Sequence, residues 1–457
     1  MLEKARFFSP DCCQLCGECL SHCPVLGYSL SQAREEKDRL NRALSSPVLD
    51  KCTTCFSCNF YCPNQCQPYD LILLRWDERY HARGLPAIAR MVMPGDKASI
   101  WAQLYPLLPL QEKEVIQSWR AIEGKARKEI LLTGCFNALS PYLAMTPLLA
   151  ELTPYGDERL WCSGGHIYQL GLLEVVGRIA QRAKQVLEEL QPRRVITMMA
   201  AEYTMLTKIL PEKFGVTFDF EIVPLEQWLS ERIEQGNLRL SQKIGKRITI
   251  HDNCFSKSIG NQHWQTVRDI AGECGAEIIE MEHNRKNALC CGFGAAAGRF
   301  SLLDLIEHGA RRLREAEEAG ADWLVVYCSA CYFVFSLVKE IYGSRVELYH
   351  LLELVDMADG RRPIHRTQEQ AFNIISIISA NLTRMAFEPR ARRRFWIDLS
   401  KFDHEMDSAG IGFQADRLTG FFNRAYKSRL VQNRATQTSL HLVVRLILHL
   451  RRRFHND

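Results

Sequence analysis

Residues 246–255 read KRITIHDNCF, a charged start and a β-rich run that ends in Cys-Phe. Residues 128–136, KEILLTGCF, have the same design. The likeness extends outward from both. RLWCSGGH (159–166) pairs with ALCCGFG (288–294), and RRVITMMAAEY (193–203) pairs with DWLVVYCSACY (322–332). Cys135 to Cys254 is 119 residues, Cys162 to Cys291 is 129, and Ala201 to Cys331 is 130. A near-constant offset over three landmarks predicts a duplicated unit of about 120 residues. Helical patterns such as EVVGRIAQRAKQVLEEL and SLLDLIEHGARRLREAEEAG separate the β-rich runs. Such alternation predicts two α/β modules with mainly parallel sheets.

The chain has 457 residues, 47% hydrophobic and 24% charged, which is ordinary globular material with ample core. Its longest uncharged stretch, Trp323–Val338, is broken by Cys, Ser and Tyr and reads as a strand running into a helix. The N-terminal MLEKARFFSP lacks the apolar segment of a signal peptide. These features predict a cytoplasmic protein, soluble or held at the inner face of a membrane by a partner. Residues 361–457 hold 18 Lys+Arg against 8 Asp+Glu, so the net +5 hides an acidic body and a basic tail. In that tail TSLHLVVRLILHLRRRF places His441, Arg445, His449 and Arg453 on one helix face. Leu442, Val443, Leu446, Ile447 and Leu450 cover the other side. A helix at a membrane surface and a basic-faced helix packed on its own domain both fit.

The 18 cysteines are clustered: ten within 1–66, two between 128 and 245, six between 246 and 356. Clustering in a large chain favours metal ligation over a disulfide scaffold. Cys13, Cys16, Cys19 and Cys23, followed by Pro24, match C-x2-C-x2-C-x3-C-P. Cys52, Cys55, Cys58 and Cys62, followed by Pro63, match it again. This run ligates [4Fe–4S] cubanes, and its fourth cysteine serves the other cluster of a pair. The expected ligands are therefore Cys13, Cys16, Cys19 and Cys62 for cluster A, and Cys52, Cys55, Cys58 and Cys23 for cluster B. Two complete runs argue against tetrahedral zinc. Cys12 reads as a bystander, Cys66 as a plain buried thiol, His22 as structural and Cys274 as a core thiol.

In the second module Cys254 is followed after 35 residues by Cys290-Cys291, then after 36 by Cys328-x-x-Cys331. Near-equal gaps suit one βα crossover each and bring five thiols to one sheet edge. Gly292 and Gly294 allow close backbone approach there. Gly292, Gly294 and Gly298 nearly spell a dinucleotide loop, but they follow two thiols rather than an apolar strand. His251 is a candidate proton donor to a departing thiolate, or a polar residue that closes a strand. His350 is weaker.

Cys, long gap, Cys-Cys-Gly, long gap, Cys-x-x-Cys resembles the cysteine-rich CCG domain of heterodisulfide reductase. Two ferredoxin runs ahead of two such modules resemble its D subunit over 1–356. The iron–sulfur subunits of glycolate oxidase and anaerobic glycerol-3-phosphate dehydrogenase have a similar layout. The resemblance implies that Cys254, Cys290, Cys291, Cys328 and Cys331 bind a non-cubane four-iron cluster that cleaves a disulfide in one-electron steps. The first module departs from this pattern. Met198 and Ala201 stand where Cys-x-x-Cys is expected, and Trp161 replaces the first of the paired cysteines, so this half reads as scaffold.

The expected fold class is α/β, with a mainly helical dicluster ferredoxin-like domain (1–80) and a helical connector (81–127). A degenerate CCG-like module (128–245), an intact CCG module (246–356) and a basic helical extension (357–457) complete it. The expected function is an iron–sulfur electron-transfer subunit that passes electrons through two [4Fe–4S] clusters to the five-cysteine centre, where a disulfide-type substrate or small thiol protein is reduced or formed. The alternative is a relay subunit for a flavin dehydrogenase, delivering electrons towards quinone. Expected partners are a membrane b-type cytochrome or a flavoprotein. No aromatic–basic stacking surface supports nucleic-acid binding.

Overall fold

The computed structural model describes residues 3–120, 129–389, 393–406, 409–414 and 416–455. The expected 127/128 boundary, part of the basic stretch at 390–392 and the side chain of Arg453 lie outside the described residues.

The chain mixes helices with two parallel sheets. β1 (Leu85–Pro86) precedes a first sheet of β2 (Glu129–Leu132), β3 (Thr153–Tyr155), β4 (Arg194–Thr197) and β5 (Glu221–Pro224). A second sheet holds β6 (Arg247–His251), β7 (Glu277–Ile278), β8 (Trp323–Val326) and β9 (Glu347–His350). β10 (Arg394–Phe395) comes last. The strand orders are β3-β2-β4-β5 and β7-β6-β8-β9, all parallel. In each sheet the first and third strands of the unit lie side by side, with the second on the outer side of the first. This is a topological switch point, where the strand ends open a crevice. Ile248, Thr249, Ile250 and His251 are all buried, as expected of a strand covered on both faces. Helices Leu173–Leu190 and Leu302–Glu318 arise where the sequence shows 3.6-residue apolar spacing.

The strand pairing sets the match between the two units. Leu132 lies opposite Thr197 and His251 opposite Val326, so Cys135 and Cys254 each stand three residues past the first strand. Met199 and Glu202 stand two and five residues past β4, as Cys328 and Cys331 stand past β8. The residues at those places are therefore Met199 and Glu202, not Met198 and Ala201. Apolar runs slide past one another in sequence, whereas strand hydrogen bonds do not. The paired-cysteine turn corrects in the same way. Gly164 (φ +91°) and Gly292 (φ +116°) each cap a short helix, and their amides donate to the Sγ of Cys162 (3.2 Å) and Cys290 (3.3 Å). Cys162 thus takes the place of Cys290, Ser163 that of Cys291, and Trp161 that of Leu289.

The N-terminal region is helical, with Leu30–Asn41 and Pro68–Arg83 as its long helices. The second of these runs through the expected boundary at 80. It packs under the first sheet, where Tyr69, Leu73 and Trp76 share a core with Ile130, Leu132 and Val195. Asp70 anchors the junction: Lys213 Nζ lies 2.7 Å away and the Tyr168 hydroxyl donates at 2.5 Å. Within residues 81–120 short helices predominate, and β1 pairs antiparallel with β10 and ties the C-terminal extension back to residue 85. That extension carries helices Thr367–Phe387, Arg417–Tyr426 and Arg434–His455.

The last helix is docked through His441, Arg445 and the buried Leu448, while His449 of the expected basic face is exposed. His441 Nε2 lies 2.8 Å from the Glu340 carbonyl, and Arg445 donates to the carbonyls of Tyr342 (3.0 Å) and Gly343 (2.8 Å). These are carbonyls that the end of helix Ser329–Tyr342 leaves unpaired, and cationic side chains there oppose its dipole. Leu442, Val443, Leu446, Ile447 and Leu450 consequently point outward, 42–61% exposed. Among the described residues no helix is long and apolar enough to cross a membrane.

Candidate metal centres

The two N-terminal cysteine runs wind alike. Leu15 and Thr54, the third residues of their runs, are left-handed (φ +53° and +48°), as are Gly17 and Phe56 (φ +81° and +64°). Such φ values are costly for side-chain-bearing residues and persist where the surroundings over-determine them. Here they curl three thiols around one point. The thiols fall into two neighbouring groups by the charges they feel, with Cys58 between them, since it faces Cys19 as well as Cys52, Cys55 and Cys23. Burial pushes Cys19 up to about 12, and its thiol neighbours are Cys62, Cys13 and Cys16. Burial pushes Cys23 up to about 11, with Cys55 as its first charged neighbour, and Cys52 feels Cys55 and Cys23. Cys62 therefore approaches the first run and Cys23 the second.

The surroundings fit anionic sulfur. Lys37 is 2% exposed, and its ammonium has no hydrogen-bond partner among the described residues; it sits over the Phe8 ring, near Cys19, Cys13, Cys58 and Cys62. An unpaired buried ammonium is unfavourable unless negative charge faces it. Near the second run, Lys257 is 1% exposed and donates to Ser57 Oγ and the Ala288 carbonyl, both at 2.7 Å. Although burial raises the Cys55 thiol, Lys257 and the Ser57 hydrogen bonds leave it below its ordinary value. Amides of Thr54 and Cys66 donate to the sulfurs of Cys52 (3.4 Å) and Cys62 (3.3 Å). These donors and cations favour thiolates, the form that ligates iron.

Cys66 is not the plain thiol expected. It is joined to Cys12 in a disulfide across 54 residues. The crossing of Cys62 towards Cys13 explains this, because it carries Cys66, four residues later, up to the neighbour of Cys13.

The second sheet brings together all five cysteines predicted there. Cys254 feels Cys291 and Cys328, Cys290 feels Cys291 and Cys254, and Cys331 feels Cys291 and Cys328. Cys290, Cys291, Cys328 and Cys331 are buried and Cys254 is half-buried. Cys291 is held well below its ordinary value as the acceptor of hydrogen bonds from Cys290 and Cys331, with His251 also facing it. His251 is 1% exposed, and Arg312 Nε donates to its Nδ1 at 3.2 Å. Burial, aided by that guanidinium, lowers its pKa, so the ring is neutral and its remaining N–H faces the Cys291 sulfur. Asp252, the next residue, is clamped by Arg268 at 2.9 and 3.0 Å and accepts from the Arg285 amide and the Tyr327 hydroxyl.

Segment 286–298 lies directly on the dicluster region. A Cβ on Gly294 would stand 2.2 Å from Thr54 Oγ1, 2.4 Å from the Thr53 carbonyl and 3.3 Å from Cys290 Sγ. A Cβ on Gly298 would stand 2.9 Å from the Leu49 carbonyl. Both glycines are therefore required by close approach. Ser57 Oγ donates to the Lys286 carbonyl (3.0 Å) and the Tyr61 hydroxyl to Asn287 Oδ1 (2.6 Å). Gln169 Nε2 bridges the Thr54 carbonyl (3.3 Å) and Cys254 Sγ (3.1 Å). The Tyr69 hydroxyl, fully buried and without a hydrogen-bond partner among the described residues, lies near Cys52, Cys254, Asp70 and Cys58. Lys37, Lys257, Tyr69 and Gln169 carry no motif, and none stands out in the sequence. Beside the helix Phe293–Ala297 opens an apolar cleft walled by Phe293, Leu170, Phe300, Phe333, Leu337 and Ile374.

Comparison with known proteins agrees with this geometry. Residues 6–63 match the 4Fe-4S dicluster domain, and residues 248–336 match the cysteine-rich domain named CCG. These matches define an iron–sulfur protein that joins a dicluster domain to a cysteine-rich domain. The D subunit of the dihydromethanophenazine:CoB--CoM heterodisulfide reductase of Methanosarcina barkeri is 23% identical over 79% of this chain and 96% of its own. The chain is thus an iron–sulfur protein similar to the D subunit of heterodisulfide reductase. EtfAB:quinone oxidoreductase of Syntrophomonas wolfei is 21% identical over 58% of this chain and 39% of its own. A probable membrane-anchored ferredoxin of Chromohalobacter salexigens is 22% identical over 63% of this chain and 44% of its own.

Proposed function

We propose that the chain conducts electrons between a partner redox subunit and a disulfide-type substrate at the five-cysteine centre. Cys13, Cys16, Cys19 and Cys62 hold one [4Fe–4S] cluster, and Cys52, Cys55, Cys58 and Cys23 hold the second. Cys254, Cys290, Cys291, Cys328 and Cys331 hold a third, non-cubane cluster. Bound clusters supply one-electron transfer. The contact that carries this reading is that of Gly294 with Thr53 and Thr54, which seats the second cubane's loop on the five-thiol centre. Gln169 spans the same junction, and Lys257 reaches from the centre's own unit to Ser57 beside Cys55. His251 keeps its N–H on Cys291, where it stabilises negative charge on that sulfur. The neutral, buried ring suits hydrogen bonding to a ligand as well as donation to a departing thiolate.

The domain division is read as expected, with Pro68–Arg83 shared between the dicluster region and the connector. Matching strand orders support duplication of the α/β unit. The partner is a membrane b-type cytochrome or a flavoprotein at the inner face of the membrane. A relay towards quinone is the second reading, favoured by the likeness to EtfAB:quinone oxidoreductase. In that reading the five-thiol centre passes electrons on without touching a disulfide.

Anaerobic purification with iron counting and EPR separates the two. The first reading predicts about twelve irons per chain, and added thiol should perturb only the third signal. About eight irons with no third signal would overturn the third cluster. A full iron count with a thiol-insensitive third signal would leave the relay.

A further inference from the structure

Helix Arg434–His455 is fastened to the protein along one side only. His441 and Arg445 hold the end of Ser329–Tyr342, and Leu448 is buried. Arg451 pairs with Asp304 and, at 3.4 Å, with Glu307. With that side fixed, Leu440, Val443, Leu446, Ile447 and Leu450 face solvent, 42–57% exposed. At 3.6 residues per turn these five fall within an arc of about 120°. A contiguous apolar strip of this kind on a folded chain marks a contact site.

The surrounding charge narrows what covers it. Between Asp416 and Asp457 the chain carries nine Lys+Arg and no Asp or Glu. Arg445 and Arg451 are engaged on the inner side. Arg424, Arg429 and Arg434, which lead into the helix, are exposed, as is Leu430 between them. The RRRF run at 451–454 follows the apolar strip in sequence. The occupant must therefore be apolar within and anionic at its margin.

A second copy of the helix meets the first requirement. Leu440, Val443, Ile447 and Leu450 follow the alternating three- and four-residue spacing of a coiled-coil seam. It fails the second, because two cationic tracts would be set against each other with no acid in either to pair them. A bilayer with anionic headgroups meets both requirements: its acyl boundary takes the leucines and valine, and its phosphates take the arginines. The helix is not apolar enough to cross a membrane, so it lies in the plane of the surface.

We propose that the outward face of helix Arg434–His455 inserts into the headgroup boundary of an anionic phospholipid bilayer, so that the chain binds lipid directly. Leu440, Val443, Leu446, Ile447 and Leu450 enter the acyl boundary, and the flanking arginines meet the phosphates. Helix Ser329–Tyr342 starts beside Cys328 and ends at the docked helix. Lipid binding thus ties the five-thiol unit to the membrane through a rigid link of about 20 Å. This placement depends neither on disulfide chemistry nor on a membrane partner.

The test is flotation of the full-length chain, purified anaerobically, with vesicles of phosphatidylcholine alone or mixed with phosphatidylglycerol, and with no other protein present. Partitioning onto the anionic vesicles should be stronger by about tenfold or more, since each cation near the surface contributes about fivefold. It should fall steeply between about 0.05 and 0.5 M salt. Equal partitioning onto both vesicles, or none onto either, would overturn the proposal. The double variant Val443→Asp, Ile447→Asp changes two exposed side chains, so iron per chain and the unfolding midpoint should match wild type while partitioning drops by about tenfold or more. Partitioning retained by that variant would place lipid binding on another surface and overturn the assignment. Two further outcomes would also overturn it. A lipid-free dimer in sedimentation velocity that the variant abolishes would give the face to a second copy. Flotation with native membranes but not with lipid vesicles would give it to a protein.

Discussion

Replacing Lys257 by methionine removes a positive charge buried beside the second cubane site while keeping much of the side-chain volume. Nζ lies 2.7 Å from Ser57 Oγ, and that oxygen lies 3.4 Å from Cys55 Sγ, so the ammonium is within about 6 Å of the sulfur. At that separation and an effective dielectric of about 20, the interaction is roughly 2.8 kcal/mol per unit charge. For a one-electron couple this corresponds to about 120 mV. Because the added electron spreads over the whole cluster, a downward shift on the order of 100 mV is expected. The sign follows from charge: the reduced form is the more negative and loses more when the cation goes. The variant also leaves the Ala288 carbonyl short of a donor, at about 1–3 kcal/mol, so iron per chain must first match wild type. An EPR-monitored redox titration then reads each cluster. A shift below about 20 mV, or an equal shift at both cubanes, would refute the electrostatic role given to Lys257. Lys37→Met is the mirror experiment and should lower the other cluster instead.

Gly294→Ala should drive the Thr53–Thr54 loop away and destabilise the chain by about 1–3 kcal/mol, as overpacking does; denaturant unfolding measures this, and an unchanged midpoint would contradict the close approach. Asp252→Asn strips Arg268 of its most buried partner and should cost about 3 kcal/mol, the low end for a broken buried pair, because Glu280 still holds that guanidinium at 2.6 Å. Calorimetry would show the loss, and a cost under about 1 kcal/mol would mean the pair behaves as a surface one. Arg445→Ala should release the last helix from Ser329–Tyr342, seen as proteolytic cleavage within 434–455 that wild type resists; equal resistance would show that His441 and Leu448 suffice.

The dicluster domain was legible because the spacing of its cysteines is the chemistry: thiols that ligate a cluster must wrap one small object. The strands leading to Cys135 and Cys254 were legible because an apolar run followed by a turn has few alternatives. Met199 and Glu202 were not, because a one-residue slide leaves the apolar pattern of RRVITMMAAEY intact and only sheet hydrogen bonds fix it. Lys37 was hidden inside SQAREEKDRLN, which reads as a solvated helix, and its burial depends on a cysteine run about twenty residues away. His441 and Arg445 turn towards Ser329–Tyr342 because they cap its end, a partner that the sequence of the last helix cannot name. Cys12 and Cys66 looked spare because their meeting depends on the crossing of Cys62.

The seam at Gly294 also bears on how the molecule comes apart. With Thr53 and Thr54 resting on the glycine, Ser57 held by residue 286 and Gly298 against Leu49, the second cubane loop has no hinge on which to swing free. The dicluster region and the second sheet should then melt as one cooperative unit. In the proposed arrangement, iron held at Cys55 and iron held at Cys291 would leave the protein together, in a single kinetic phase.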